Sequence, residues 1–393
     1  MDPRSNPFAP SAGAPPPELA GRAVLLERVA VALDRIRAGR VARSAIFYGL
    51  RGVGKTVLLR ELRIAAEQRG ISTVRIEAPE DRSLPALLAP ALRSALLRLD
   101  RLESAKVGVK RALRALAGFV KLKVTYQDID VSLDMDAERG LADSGDLDLD
   151  LADLLTTIGE AARERQTAVV LFIDELQYVP EAQLASLISA LHATSQAQLP
   201  ITMIGAGLPQ LLGQMGRAKS YAERLFEFTS IEQLDPVSAR AALVLPIERE
   251  GASISESAVA EITRATEGYP YFLQEWGKHS WDAASKSPIS LEDVEAASST
   301  ALAELDASFF RVRFDRLTPA EKRYLRAMAE LGSGPHRSGD VAEVMSRKVT
   351  QLAPVRNGLI GKGMIYSPAH GDTAFTVPLF DQFMRRIMPM LEA

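Results

Sequence analysis

The chain has 393 residues, 47% hydrophobic and 25% charged, with a net charge of −3. That length exceeds one comfortable core, so two or three domains are expected. It has no cysteine and only four histidines, His192, His279, His336 and His370, far apart in sequence, which excludes disulfides and thiolate metal sites and argues against a histidine-built one. No apolar run approaches the ~18 residues of a membrane span, and the first residues lack the hydrophobic stretch of a secretion signal. A cytoplasmic protein without membrane attachment is expected. Charge is unevenly placed: residues 126–153 hold ten acidic residues and one basic, Arg139, whereas residues 309–393 hold thirteen Lys/Arg against eight Asp/Glu. One surface should repel polyanions and another tolerate them.

Residues 1–18, rich in Pro, Ala and Ser, read as extended or mobile. Leu25, Leu26, Val29, Ala32, Leu33 and Ile36 then fall at helical spacing. A short apolar strand over 44–48 runs into a glycine-rich loop and a helix over 55–69, closed by Gly70, and 71–77 alternates as a second strand. Residues 83–119 read as helical, while 119–136 switch to period two and predict a β-hairpin or edge strands. The acidic stretch 143–150 reads as a loop into a helix near 151–165. Residues 167–173 form a continuous apolar strand of the kind buried on both faces of a parallel sheet, with further strands over 201–206 and 225–231. Strands separated by helices, with a phosphate loop after the first, predict a doubly wound parallel α/β sheet. From Asp235-Pro236 to about residue 305 the pattern is wholly helical, and the remainder reads as helices followed by strand-turn-strand.

Gly49-Leu50-Arg51-Gly52-Val53-Gly54-Lys55-Thr56 fits the phosphate-loop pattern G-x-x-x-x-G-K-[ST] at every position, with Val57 continuing into the helix. Its glycines let backbone N–H groups turn toward phosphates at a helix N-terminus. Lys55 would reach the β/γ-phosphates and the Thr56 hydroxyl would ligate Mg²⁺. The apolar strand before and the helix after argue against a chance glycine turn. Val169-Val170-Leu171-Phe172-Ile173-Asp174-Glu175 supplies the second half: a buried strand ending in Asp174 for the Mg²⁺ shell and Glu175 to orient or deprotonate the attacking water. Lys55 and Asp174 are 119 residues apart, long for one crossover, so an insertion is expected near 100–150.

These two motifs, the strand order and the helical stretch after Pro236 resemble the AAA+ and STAND branches of P-loop ATPases, nearest to the archaeal-type and origin-recognition-like group. The resemblance runs from Asn6-Pro7-Phe8 and Gly21-Arg22 to the C-terminus. It implies an extended segment over 1–20, an ATPase core over 21–234, a helical lid over 235–305 and a winged-helix domain over 306–393. It further implies that Arg224 reaches the γ-phosphate of a neighbouring subunit in a homo-oligomer, the alternative being a surface arginine beside Glu223. Tyr269-Pro270, after Gly268, would lie against the adenine, or merely break the helix, and Gly21-Arg22 would wrap the base. Two positions depart from the family: Gly205-Ala206-Gly207 stands where a polar sensor residue is usual, and Tyr271 where a phosphate-sensing arginine often is. Slow hydrolysis, suited to a switch, is expected.

In the last segment, Thr318-Pro319-Ala320-Glu321 reads as a capped helix start. A short second helix begins at Ser338-Gly339-Asp340, and a third carries Leu352, Val355 and Leu359 on one face, with Pro354 near its first turn or kinking it. A two-stranded wing follows over 364–377. The likeness to a winged helix implies DNA contact through the third helix, by Arg347, Lys348, Gln351, Arg356 and Asn357, with Lys362 near phosphates. The alternative is a signalling or defence ATPase whose winged helix docks protein or holds the ATPase shut. The acidic insertion reads either as a protein-partner site or as a solvated loop. Trp276 and Trp281 read as lid core rather than a base-stacking pair. The expected ligands are ATP or ADP with Mg²⁺.

Overall fold

The computed structural model describes residues 1–11, 13–100, 107–123, 138 and 140–391. Their contacts divide into two units: Val24–Tyr48 with Leu58–Ser230, and Met1–Ala23 with Gly49–Val57 and Ile231–Ala393.

The first unit is an α/β layer structure. Its elements are α1 (Ala23–Arg37), β1 (Ser44–Tyr48), α2 (Lys55–Gln68), β2 (Ser72–Glu77), α3 (Leu84–Asp100), α4 (Val107–Lys123), α5 (Leu147–Glu164), β3 (Val169–Asp174), α6 (Glu181–Gln196), β4 (Ile201–Gly207), α7 (Leu211–Ala218), α8 (Ala222–Leu225) and β5 (Phe226–Ser230). The five strands expected from the apolar runs form one sheet in the order β2-β3-β4-β1-β5. Every pair is parallel. Parallel alignment demands helical crossovers on the faces, so the central strands are covered on both sides. That is why all of β3 and β4 is buried.

The stretch between β2 and β3 is mostly packed helix rather than loose insertion. Leu88, Leu92, Leu96, Leu116, Phe119, Leu154 and Ile158 join the same core as Val74, Leu171 and Met203 of the strands. The period-two expectation over 119–136 is corrected at its start, because 119–123 belong to α4. Residues 124–136 lie outside the described ones. The acidic run is also more than a solvated face. Asp146 caps α5 by accepting from the N–H groups of Asp148 and Leu149. Asp150 is fully buried, its carboxylate accepting from Ser144 N (2.8 Å), Ser144 Oγ (2.7 Å) and Gly145 N (3.1 Å). Asp148 accepts from Ser186 Oγ and pairs with Lys219 at 3.4 Å.

The second unit holds α9 (Pro236–Arg249), α10 (Glu256–Thr266), α11 (Pro270–Ala283), α12 (Leu291–Leu305), α13 (Arg311–Asp315), α14 (Pro319–Leu331), β6 (His336–Arg337), α15 (Ser338–Val344), α16 (Val349–Gly361), β7 (Ile365–Tyr366), β8 (Asp372–Phe375) and α17 (Phe380–Ile387). The capping box of α14 forms as expected, with Thr318 N donating to Glu321 Oε2 (2.8 Å) and Glu321 N to Thr318 Oγ1 (3.3 Å). Pro354 lies inside α16, which continues across it. β6 adds a third strand to the expected hairpin, in the order β6-β8-β7.

The segment ahead of α1 is docked, contrary to the expectation of mobility. Phe8 is 3% exposed, and its ring lies so close over α11 that a Cβ on Gly277 would stand 3.0 Å from three ring atoms. Asn6 Nδ2 donates to Lys278 O (3.0 Å) and Asp282 Oδ1 (2.8 Å), and Trp281 Nε1 donates to Asp2 O (2.9 Å). Trp276 and Trp281 are both buried, as expected of core residues.

The buried and the solvent-facing carboxylates of the acidic run separate by mutation. Asp150→Ala strips three donors of their acceptor and should cost about 3 kcal/mol. Asp153→Ala, on the exposed face, should stay within about 0.5 kcal/mol. Chemical denaturation of both variants checks this, and equal losses would mean the Asp150 contacts contribute little.

Candidate nucleotide site

In the second unit the phosphate loop leaves residue 48 and turns through Gly52 and Gly54 at φ 81° and 91°, a left-handed backbone that side-chain-bearing residues rarely adopt. Gly49 is required for a different reason: a Cβ there would lie 2.1 Å from Ile231 O. Lys55 is 8% exposed, and its ammonium donates to Gly49 O (2.9 Å) and Leu50 O (2.7 Å), so it folds back on its own loop. An incoming phosphate would compete with those two carbonyls for it, trading neutral acceptors for charged ones. Thr56, half-buried in the first turn of α2, lies close to the leading segment, since a Cβ on Gly13 would be 3.4 Å from its methyl carbon.

Neighbouring residues of this loop are held by two different parts of the unit. Arg51 N donates to Thr376 O, just past β8, at 2.9 Å, and Gly52 O accepts from Tyr271 N, in the first turn of α11, at 3.2 Å. Arg22 reaches the same loop, donating to Val53 O (3.3 Å) and Glu232 O (2.6 Å). Aromatic rings connect the two holders. Tyr271 stacks on Phe309 (4.9 Å), Phe309 meets Phe310 edge-on (5.2 Å), and Phe310 meets Phe380 (5.9 Å), which meets Phe375 (6.1 Å). Tyr269, 8% exposed, forms the N-cap position of α11 with Pro270 as first helical residue. Burial pushes the phenols of Tyr269 and Tyr271 up to about 12, with Glu267 and Glu275 respectively adding to it. Both are therefore neutral.

In the first unit, Asp174 closes β3 at 9% exposure and its Oδ1 accepts from Glu175 N at 2.9 Å. Glu175 sits at φ 53°, an uncommon conformation for a residue with a Cβ. Gln177, not foreseen from the sequence, donates through Nε2 to Glu175 Oε2 and accepts through Oε1 from Leu208 N at 2.9 Å. Its signal lay in what β4 lacks: Gly205-Ala206-Gly207 offers no polar side chain, and Gly207 leaves the room that Gln177 fills. Arg224, in the short α8, is exposed.

Among the residues expected at a DNA surface, Arg347, Lys348 and Asn357 are exposed. Two are occupied locally. Gln351 Oε1 accepts from Lys348 N (3.2 Å) at the start of α16. Arg356, expected to point outward, instead turns onto the small sheet, donating to Thr373 Oγ1 (3.0 Å), Asp372 O (3.1 Å) and Ser367 Oγ. Lys362 is likewise committed inside, to Glu321 (2.7 Å) and Arg316 O (3.1 Å). Among the described residues no helix is long and apolar enough to cross a membrane.

An all-parallel five-stranded sheet with flanking helices is the fold of the P-loop ATPases. A family model described as AAA ATPase domain matches residues 18–204, and one described as a domain of unknown function, DUF8462, matches residues 307–384. No curated protein matches the chain. A Walker-type ATPase of Pyrococcus abyssi is similar in structure over 93% of this chain and 96% of its own, at 14% identity and a TM-score of 0.61. The Aeropyrum pernix ORC1 protein in complex with DNA aligns over 95% and 94% of the two chains, at 14% identity and 0.46. The Thermotoga maritima RuvB Holliday junction branch migration motor aligns over 90% and 92%, at 15% identity and 0.44. Residues 18–204 thus match an AAA ATPase domain, and the likeness to the Pyrococcus abyssi ATPase is one of fold.

Lys55→Ala is expected to abolish ATP binding, because the buried cation of the loop vanishes with its phosphate contacts. Calorimetry reads this directly, and wild-type affinity in the variant would remove residues 49–56 as the site.

Proposed function

We propose that the protein is an ATP-dependent switch in which the state of the phosphate loop is passed to the C-terminal module. The observation that carries this is the pair of backbone hydrogen bonds on adjacent residues, Arg51 N to Thr376 O and Tyr271 N to Gly52 O. A loop that reshapes around phosphate cannot keep both bonds unchanged, so binding should be felt at the lid and past β8 together. The backbone of residues 49–57 and Lys55 fit a triphosphate, and Thr56 and Asp174 are the residues that would hold Mg²⁺. The ion supplies neutralisation of phosphate charge. Glu175 orients or deprotonates the attacking water, and Tyr269 with Pro270 lines the base. Hydrogen exchange tests the switch: ATP should change protection over 48–54 and 372–380 together, and Lys55→Ala should show neither change. If only the loop responds, the C-terminal module is a passive neighbour.

The output of the module on this reading is DNA contact through Arg347, Lys348 and Asn357 at α16, with Gln351 and Arg356 positioned behind them. A second reading, docking of a protein partner, is favoured by one specific observation: Arg356 and Lys362 are bound within the module and unavailable to phosphates. Anisotropy with random duplex DNA separates the two. DNA contact predicts binding that weakens with salt and falls in Arg347→Ala, whereas no binding at low salt favours the protein partner.

Glu175→Gln should keep ATP bound while stalling hydrolysis, since an amide cannot accept the proton of water. ATP retained through purification is the expected sign, and unchanged turnover would remove Glu175 from the base role.

Arg224 is assigned to a neighbouring subunit's γ-phosphate. Hydrolysis should then rise with protein concentration, and Arg224→Ala should lower turnover about 10³-fold with ATP affinity nearly intact. Mixing it with Lys55→Ala subunits should restore part of the activity, because each supplies what the other lacks. Flat specific activity on dilution together with a dead mixture would leave Arg224 a surface residue.

A further inference from the structure

β4 ends in Gly205-Ala206-Gly207, so its own side chains offer nothing polar to the edge where β3 delivers Asp174 and Glu175. The side chain that stands at that end is Gln177, 5% exposed, in the single helical turn Leu176–Tyr178 after β3. Its two ends have different partners. Nε2 donates to Glu175 Oε2, and Oε1 accepts from Leu208 N at 2.9 Å. Its backbone carbonyl accepts from Gln214 Nε2 of α7 at 3.1 Å, which braces the turn from below. Gly207 makes the arrangement possible, since a Cβ there would lie 2.7 Å from Gln177 Oε1.

The amide has one workable orientation. Turned over, it would set its carbonyl against a carboxylate and its NH₂ against the Leu208 N–H, two repulsive pairings in a buried place. Glu175 is itself held at φ 53°, so its backbone direction is fixed by its surroundings. The freedom left to its carboxylate lies in the side-chain torsions, and the Gln177 donor restrains those.

We propose that Gln177 is the positioning residue for Glu175, tying its carboxylate to the end of β4 so that any shift of Leu208 is felt at the carboxylate. The proposal rests on the reading of Glu175 as the base. The test is ATP hydrolysis by the full chain, in steady state and single turnover, for wild type, Gln177→Glu, Gln177→Ala and Glu175→Gln. Gln177→Glu is nearly isosteric and still accepts from Leu208 N, so it keeps the bracing contact. It replaces the donor to Glu175 with a like charge. Its kcat should fall on the order of tenfold, a fraction of the 10²–10⁴ a general base contributes, with KM for ATP within about twofold. Its single-turnover rate should fall by the same factor, because the loss lies in the chemical step. Its unfolding midpoint should stay near wild type, whereas Gln177→Ala, which loses both contacts, should lower it.

If Gln177→Glu keeps wild-type kcat and single-turnover rate while Gln177→Ala only loses stability, Gln177 merely braces Leu208 and the proposal is overturned. A lower kcat with an unchanged single-turnover rate, or with a reduced unfolding midpoint, overturns it equally. Full turnover in Glu175→Gln, or none in wild type, removes instead the base on which the proposal stands, and it does so without reference to Gln177.

Discussion

Parallel alignment of five strands is the constraint on which the candidate chemistry depends. Strands that all run one way deliver all their C-terminal ends to one edge, and each chain must leave the sheet there with backbone groups no longer paired within it. The residues just past each strand therefore become the material of the site. β3 ends in Asp174 and is followed, on a left-handed backbone, by Glu175; after β4 comes Leu208, whose N–H is met by Gln177. The apolar burial of 169–173 fixes where the two carboxylates emerge, since a slip along the strand would draw a carboxylate into the apolar interior of the sheet.

The phosphate loop answers to a different set of contacts. Its adjacent residues 51 and 52 are hydrogen-bonded through their backbone to elements more than 200 residues further along the chain, and the rings from Tyr271 to Phe375 pack those elements into one connected body. Interdigitated aromatic packing transmits displacement poorly by bending and well by repacking, because close-packed interiors have few intermediate arrangements. A loop clamped at adjacent residues by two ends of such a body is a sensible place to read the presence of phosphate.

The sheet was legible because buried parallel strands write themselves as unbroken apolar runs, and the phosphate loop because its glycines have a stereochemical reason visible in the residue types alone. The capping box at Thr318 and Glu321 was legible for the same local reason. Elsewhere the deciding partner lay far off in sequence. Phe8 among prolines and alanines looks like part of a loose tail until Gly277 is seen to leave a seat for its ring. The acidic run hid the burial of Asp150 although its donors, Ser144 and Gly145, lie only six and five residues back, because the turn that folds them over the carboxylate is not written in the charge pattern. Period two at 119–123 lost to the α4 helix, whose residues 113, 116 and 119 had a core to enter. Gln177 was hidden for a subtler reason: an amide after a strand is ordinary unless the missing side chain at Gly207 is read as space made for it.

Charge in the C-terminal module illustrates why a helical projection overstates a nucleic-acid surface. A basic residue contributes to polyanion binding by replacing a counterion on a phosphate, and it can do so only if its head is not already neutralised. Lys362 is paired with Glu321, Arg326 with Glu330, Arg385 with Asp381 and Arg386 with Asp306, while Arg356 donates to oxygens of the small sheet. The Lys362, Arg386 and Arg356 contacts tie separate elements together, so freeing them for DNA would cost the module part of its own cohesion, whereas the Arg326 and Arg385 pairs each lie within one helix. The solvent-facing charge at α16 reduces to the neighbourhood of Arg347 and Lys348, a small electrostatic footprint. Recognition by that surface would therefore lean on shape and on uncharged contacts such as Asn357, which suits a duplex read at few phosphates or a protein partner, and does not suit a clamp held by charge alone.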